Sequence, residues 1–112
     1  MLGVMLNAAS NQLTATPVNI SSSGDNIVVS GANGKVTRVY KLFIVATSSV
    51  TLTFKDGASN SLSGPIALAA NESLTLSFDN ASPWFQTTAG NNFIINLGSG
   101  VQVSGVAYFQ QG

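Results

Sequence analysis

Apolar and polar residues alternate along much of the chain, which is the period of a β-strand with one buried face. In residues 49–55 this alternation places Val50, Leu52 and Phe54 on one face, and in residues 73–78 it does the same for Leu74, Leu76 and Phe78. Clusters of Gly, Asn and Ser interrupt these runs at intervals of about 8–12 residues. The pattern predicts an all-β, single-domain antiparallel β-sandwich of about eight strands.

The individual strands can be placed from the same alternation and from the turn residues between them. We expect strands near residues 13–20, 26–30, 36–46, 49–55, 66–69, 73–78, 84–88, 92–97 and 101–109. The run "YKLFIVA", residues 40–46, is apolar on both faces in its second half, so we expect a central strand with something packed on each side. A partner subunit could be one of those layers. The stretch "GANGK" predicts a tight turn, and Gly105 predicts a bend or bulge in the last strand.

The first twelve residues differ from the rest, because an apolar "MLGVML" precedes a polar "NAASNQ" without strand periodicity. We therefore expect residues 1–12 to form an N-terminal arm or extension and residues 13–112 to form the β-sandwich. The arm could be a frayed or locally docked terminus, or it could pack on a neighbouring subunit. Its apolar run of about five residues is too short for a signal h-region or a membrane span, and no basic segment precedes it. We expect synthesis in the cytosol and no membrane partner.

Charge is scarce, since four Lys and Arg residues balance four Asp and Glu residues and the charged fraction is 7%. A neutral chain has little long-range repulsion and tends to self-associate. The one basic cluster, Lys35, Arg38 and Lys41, would be divided between two strand faces by alternation, so nucleic acid is not an expected partner. The chain also has few Lys or Pro residues to protect strand edges. Either its edges are short and bulged, or neighbouring copies cover them.

Several catalytic chemistries are excluded by composition, because the chain contains no His and no Cys. No nucleophile motif accompanies its Ser and Lys residues. The four carboxylates lie in turns beside Gly, Asn or Ser, where an acid usually bonds the turn backbone or is solvated; they are Asp25, Asp56, Glu72 and Asp79. Calcium at Asp25 or Asp56 is the one conceivable metal, but neither loop has EF-hand spacing. We expect no enzyme activity, no cofactor and no metal site.

Trp84 and Phe85 are adjacent, so on a strand their rings point to opposite faces. One ring should be buried, and the other should meet solvent, a loop or a partner. Aromatic residues in alternating strands are mostly core residues. An exposed ring here would instead be typical of a surface that binds carbohydrate or protein.

Four segments carry a resemblance to a known class of proteins: "NISSSGDNIVVSGANGKVTRVYKLFIVA", "VTLTFKDG", "LSGPIALAANESLTLSFD" and "PWFQTTAGNNFIINLGSGVQVSGVAYF". Their order of turns and strands, over about residues 18–110, resembles small jelly-roll-like β-sandwich virion proteins of tailed bacteriophages. These include capsid decoration or cement proteins, and tail and fibre accessory modules. The resemblance implies no catalytic residues. It also implies that Trp84 or Phe85 anchors one end of the sandwich and that Gly90 permits the turn that follows.

The resemblance implies a non-enzymatic capsid decoration protein, a homotrimer that binds the major capsid protein and resides in the virion after synthesis in the host cytoplasm. The residues expected to contact partners are three apolar residues of the arm, three cations and the tryptophan: Leu2, Val4, Leu6, Lys35, Arg38, Lys41 and Trp84. The alternative is a tail-associated carbohydrate-binding or host-adhesion module. That alternative requires Trp84 or Phe85 to be exposed.

Overall fold

Ten β-strands make up the computed structural model, which describes residues 13–78 and 82–112. They are β1 Thr14–Ile20, β2 Gly24–Val29, β3 Thr37–Ala46, β4 Val50–Asp56, β5 Asn60–Ser61, β6 Ile66–Leu68, β7 Ser73–Leu76, β8 Phe85–Gln86, β9 Phe93–Leu97 and β10 Val103–Gln111. No helix occurs in these two ranges. The all-β prediction is confirmed. The predicted arm, with Leu2, Val4 and Leu6, lies outside the described residues.

The strands form two antiparallel sheets, each with three long strands in a row and two short strands at one edge. In the first sheet the order is β1-β10-β3, and the short strands β7 and β8 share the far side of β3. In the second sheet the order is β2-β9-β4, and β5 and β6 share the far side of β4. The ten strands thus fill eight positions. β3 has a neighbour on each side in its sheet, which confirms that residues 40–46 belong to a central strand.

A single hydrophobic core lies between the sheets and draws on both of them. Val50, Leu52 and Phe54 of β4 are buried together, as their alternation predicted. They meet apolar residues of β1, β2, β3, β6, β9 and β10, which include Leu42, Ile44, Phe93, Ile95, Leu97 and Val103. Burying a side chain of this size contributes about 1.5–3 kcal/mol. The apolar side chains on the inward faces of the strands therefore stabilise the sandwich, as the alternation in the sequence predicts.

Phe78 departs from the alternation that groups it with Leu74 and Leu76. The two leucines pack against the core, whereas Phe78 is 43% exposed. The reason is that β7 ends at Leu76, so the period of two no longer determines the direction of the Phe78 ring. Its ring centroid instead lies 6.2 Å from that of Tyr40.

A β-bulge in β3 changes which residues share a face. Tyr108 of β10 pairs with Lys41, and the next residue, Phe109, pairs with Val39, so Tyr40 is an extra residue in β3. This bulge is in β3, opposite Tyr108 and Phe109, so Gly105 of β10 does not mark it. At Gly105 the ladder to β1 is regular, but a side chain there would overlap the carbonyl oxygen of Phe43. Gly105 thus serves a close backbone approach.

The outer edges of both sheets carry features that discourage pairing with another chain. β1 contains Pro17, which has no N–H to donate, and the β2 register shifts between Ile27 and Val29. On the opposite edges, the strands beyond β3 and β4 have two to four residues each. The edges at β2, β5, β6, β7 and β8 are thus short or bulged, as the first predicted arrangement requires, whereas β1 is a regular seven-residue strand that contains Pro17.

Candidate functional site

The outer face of the second sheet combines an ion pair with one apolar pair, Ile27 and Ile94. The Asp25 carboxylate accepts hydrogen bonds from Asn96, at 2.7 Å, and from the Lys55 ammonium, at 3.0 Å. These two partners hold the pKa of Asp25 below its usual value. Ile27, two residues after Asp25 on β2, is 55% exposed and pairs in register with Ile94 of β9. A cross-strand ion pair in contact with water contributes about 0–1 kcal/mol, so this pair resembles the ion pairs of an ordinary solvated surface.

The outer face of the first sheet has a different chemistry, and we call it the aromatic face. Its central row crosses four strands and consists of Pro17, Val106, Phe43 and Thr75, which are paired in register. Phe43 is 40% exposed. Three of the four members are apolar, whereas an outward-facing row of a solvated sheet is usually polar. This row is the apolar centre of the face.

The next row along the strands adds aromatic rings. Lys41 lies over the Tyr108 ring, with its Nζ 5.1 Å from the ring centroid. Tyr40, the extra residue of the bulge, lies beside Phe78. Cation–π contacts of this kind contribute about 0.5–1 kcal/mol at exposed sites. The bulge therefore adds the Tyr40 ring to a face on which Lys41 already lies by alternation with Phe43.

The bulge also corrects the prediction for the basic cluster. Simple alternation would place Arg38 and Lys41 on opposite faces of β3, but the extra residue brings both onto the aromatic face. Arg38 pairs in register with Gln110 on one side and with Gln86 on the other. Lys35 is exposed in the turn before β3, where its amide N–H bonds the carbonyl of Ala32. That bond confirms the predicted turn in "GANGK".

Trp84 and Phe85 point to opposite sides, as their adjacency predicted. The Phe85 ring enters the core and stacks on Phe54, with the centroids 4.5 Å apart, and on Phe93, at 5.7 Å. Trp84 is 49% exposed, and its indole Nε1–H donates to the carbonyl of Ser77 at 2.7 Å. The ring that anchors this segment in the core is therefore the partly buried Phe85. The exposed ring is Trp84, which connects the start of β8 to the end of β7.

The loop after β8 is fixed to the sandwich from several directions. The Thr87 N–H donates to the carbonyl of Thr37, and the Thr37 N–H donates to the Thr87 hydroxyl oxygen. The Gly90 N–H donates to the carbonyl of Lys35. Gly90 has a φ of 86°, so it makes the turn that the sequence assigned to it. This loop positions Phe85 and, through it, the neighbouring Trp84.

Asp56 is the polar centre of that loop. Its buried carboxylate, 6% exposed, accepts hydrogen bonds from the backbone N–H and the hydroxyl of Thr88 and from the side-chain amide of Asn91. Burial acts to raise the pKa of Asp56, but these three donors outweigh it and lower the pKa below its usual value. The carboxylate is charged and fully engaged, which is the arrangement of a structural anion.

Each of the three acidic side chains in the described residues has its own partners. Asp25 binds Lys55 and Asn96, Asp56 binds Thr88 and Asn91, and Glu72 accepts from the backbone of Ala69. Within residues 13–78 and 82–112, no three His, Cys, Asp or Glu residues form a group that could hold a metal ion. Asp79, the fourth acid, lies outside the described residues.

The structure brings together three of the seven predicted contact residues on or beside one face. Arg38, Lys41 and Trp84 are on the first sheet's outer side, Lys35 lies in the turn before β3, and the three arm residues are outside the described ranges. Sequence reasoning missed Tyr40, Phe43, Phe78 and Tyr108, because it treated aromatic residues in strands as core. The signal for Phe43 was present, since it alternates with the buried Leu42 and Ile44.

Within the described strands and turns, no helix is long and apolar enough to cross a membrane. Comparison with protein-family models, with curated proteins and with solved structures finds no match to this chain.

Proposed function

We propose that the chain is a non-enzymatic virion protein of the capsid decoration type, which forms a homotrimer and binds the major capsid protein of a phage head through surface contacts. The observation that carries the proposal is the aromatic face, where Phe43, Val106 and Pro17 form an apolar row on the outside of a sheet. Exposed apolar patches on small proteins commonly mark interaction sites.

The edges of the first sheet favour a partner that binds a sheet face over one that adds a strand. A partner that added a strand would need a regular row of free N–H and C=O groups. Pro17 interrupts that row on β1, and the short β7 and β8 interrupt it beyond β3. The outer face of β3 and β10 has no such obstacle, so it is the better candidate for the interface between copies of the chain.

The strand order also supports a jelly-roll architecture. When β5 with β6 and β7 with β8 are each counted as one interrupted strand, the sheet orders β1-β10-β3-β7 and β2-β9-β4-β6 are those of two interleaved Greek keys. We infer a jelly roll from this order. That architecture occurs in viral capsid proteins and in lectins, so it favours the virion class without selecting one role within it.

The energetics of such an interface follow from the composition of the face. Covering a half-exposed ring such as Phe43 stabilises a complex in proportion to its apolar area, at about 25 cal/mol per Å². Arg38 and Lys41 would select a partner with an acidic surface, because complementary charge determines specificity and association rate more than affinity.

The test is the native mass of the purified chain, measured by light scattering after size exclusion. We expect a trimer whose mass does not change with concentration, and we expect Phe43→Ser to reduce it to a monomer. Ile27→Ser is the matched control, because it removes an exposed apolar side chain from the outer face of the other sheet. A monomeric native chain, or equal dissociation by both variants, would contradict the proposed assembly.

A second candidate is a tail-associated carbohydrate-binding or host-adhesion module. The observation in its favour is the exposed Trp84 ring, whose orientation is fixed by the hydrogen bond to Ser77. Lectin domains share the jelly-roll architecture. A glycan that changes the tryptophan fluorescence would support this candidate, and a flat response across a broad panel of glycans would remove it.

A further inference from the structure

We infer that the end of the aromatic face formed by Arg38, Tyr40, Lys41, Trp84 and Gln86 binds an acidic glycan. This inference rests on the second candidate function, the adhesion module, and names the class of its ligand. The apolar row around Phe43 lies next to this site and is not part of it.

The first part of the site is a ring platform with a fixed orientation. The Trp84 indole is held by its Nε1–H bond to Ser77, at 2.7 Å, and by its own backbone N–H, which donates to the carbonyl of Val39. Phe85 anchors the same strand in the core. Because the ring is already ordered, a ligand that stacks on it does not have to restrict its motion on binding.

The second part is positive charge without an acidic neighbour among the residues that the structure describes. Arg38 and Lys41 both point outward on this face, and no Asp or Glu lies among the outward side chains of its described strands. Lys41 contacts the Tyr108 ring, and no described carboxylate lies within ion-pair distance of either cation. A guanidinium in this position can bind a carboxylate with two parallel hydrogen bonds.

The third part is a row of planar polar groups. Gln86 and Arg38 are paired in register across β8 and β3, with Trp84 two residues before Gln86 on the same side of its strand. Amide side chains offer both donors and acceptors, which suits the hydroxyl groups of a sugar ring. A flat ring beside a donor–acceptor row and a cation matches a saccharide that carries a carboxylate. An acidic protein surface would need only the cations and the apolar row.

The test uses intrinsic fluorescence, because Trp84 is the single tryptophan of the chain. The probes are trigalacturonate, trimannuronate and 3′-sialyllactose, and the neutral controls are the methyl esters of the same compounds. We expect at least one acid to change the Trp84 emission with saturation. Its methyl ester should bind about tenfold more weakly, as the loss of one charge-assisted hydrogen bond predicts. Raising NaCl from about 50 to about 500 mM should weaken the binding of the acid and leave the binding of the ester unchanged.

Matched variants separate the cation from general charge effects. Arg38→Gln should lower the affinity for the acidic probe about tenfold, whereas Lys55→Gln removes the same charge from the other sheet and should have no effect. Trp84→Ala should abolish binding as measured by titration calorimetry, which does not depend on the tryptophan signal. Circular dichroism of each variant checks that the sandwich is folded.

The outcomes distinguish this inference from the function on which it rests. Equal binding of acids and esters would overturn the acidic class and keep the adhesion module. No response to any acid, ester or neutral glycan would overturn both the inference and the adhesion module. The capsid decoration protein would then be the remaining proposal. Competition by polyglutamate as strong as by the glycans would also overturn the inference, because it would assign the cations to an acidic protein partner.

Discussion

At the scale of single residues, Gly105 shows how closely the strands of the first sheet approach one another. A Cβ atom at position 105 would lie 2.8 Å from the Cα of Ile44 and would overlap the carbonyl oxygen of Phe43. Backbone atoms of a central strand have little freedom to move away. We expect Gly105→Ala to lower the free energy of unfolding by about 2–3 kcal/mol, as overpacking does in other cores. Urea denaturation measures this difference.

The control for that substitution is Gly64→Ala. Gly64 has no atom within 4 Å of an added Cβ, and it lies in the loop between β5 and β6. Its replacement should leave stability within about 0.5 kcal/mol. If the two alanine variants were equally stable, the close approach at Gly105 would not limit the fold.

The pair Trp84 and Phe85 shows how far alternation predicts the orientation of individual residues. Opposite directions for the two rings follow from strand geometry alone. Which ring is buried depends on Phe54 and Phe93, which come from other strands and stack on Phe85. That information is tertiary, so the exposed position of Trp84 could not be derived from its neighbours in the chain.

At the scale of elements, Pro17 is the main protection of the β1 edge. It lies in the middle of a seven-residue strand and faces solvent. We expect Pro17→Thr to restore a continuous row of edge groups with a residue that favours strands. The variant should associate beyond the state of the unmodified chain, in a concentration-dependent way that light scattering detects.

Pro65→Thr provides the comparison, because Pro65 is exposed in a loop outside the strands. It should leave the association state unchanged. Equal association of both proline variants would show that a general loss of proline, and not the opened β1 edge, is responsible.

Most strands could be placed from the sequence because each has its own run of alternating residues and a turn on either side. β5 was missed, since its two residues lie inside a stretch rich in turn formers and pair only with Lys55 and Asp56. The bulge at Tyr40 was missed for another reason. Nothing in "RVYKLF" interrupts the apolar pattern, and the extra residue is defined only by the register against β10. The shared face of Arg38 and Lys41 depends on that register.

At the scale of the whole molecule, the two sheets expose different outer faces to their surroundings. The outer face of the second sheet has an ion pair beside the apolar pair Ile27 and Ile94. The aromatic face has rings and two cations that form no ion pair with a described carboxylate. This asymmetry depends on strand order, because Pro17, Val106 and Phe43 form one row only when β10 lies between β1 and β3. Periodicity indicates which residues are outward on each strand, but it carries no information about which strands are neighbours.

The dependence of stability on pH is a property of the whole chain, and few groups determine it. The sequence has no His and only four acidic side chains, so no side chain titrates between about pH 5 and 8 at its ordinary pKa. Asp25 and Asp56 have lowered pKa values in the folded state. Each therefore contributes stability that is complete above the ordinary carboxyl pKa of about 3.9 and is lost as pH falls through the lower folded value.

We expect a flat stability curve between about pH 5 and 8 and a decline below about pH 4, measured by urea denaturation at a series of pH values. Asp56→Asn should cost about 2–4 kcal/mol at neutral pH, because its amide group would face the donors of Thr88 and Asn91, and it should flatten the acid decline. Asp25→Asn, at an exposed ion pair, should cost about 0–1 kcal/mol. An unchanged acid decline in Asp56→Asn would assign the pH dependence to the other carboxylates. It would also mean that the buried carboxylate contributes to the loop only as a hydrogen-bond acceptor and not through its charge.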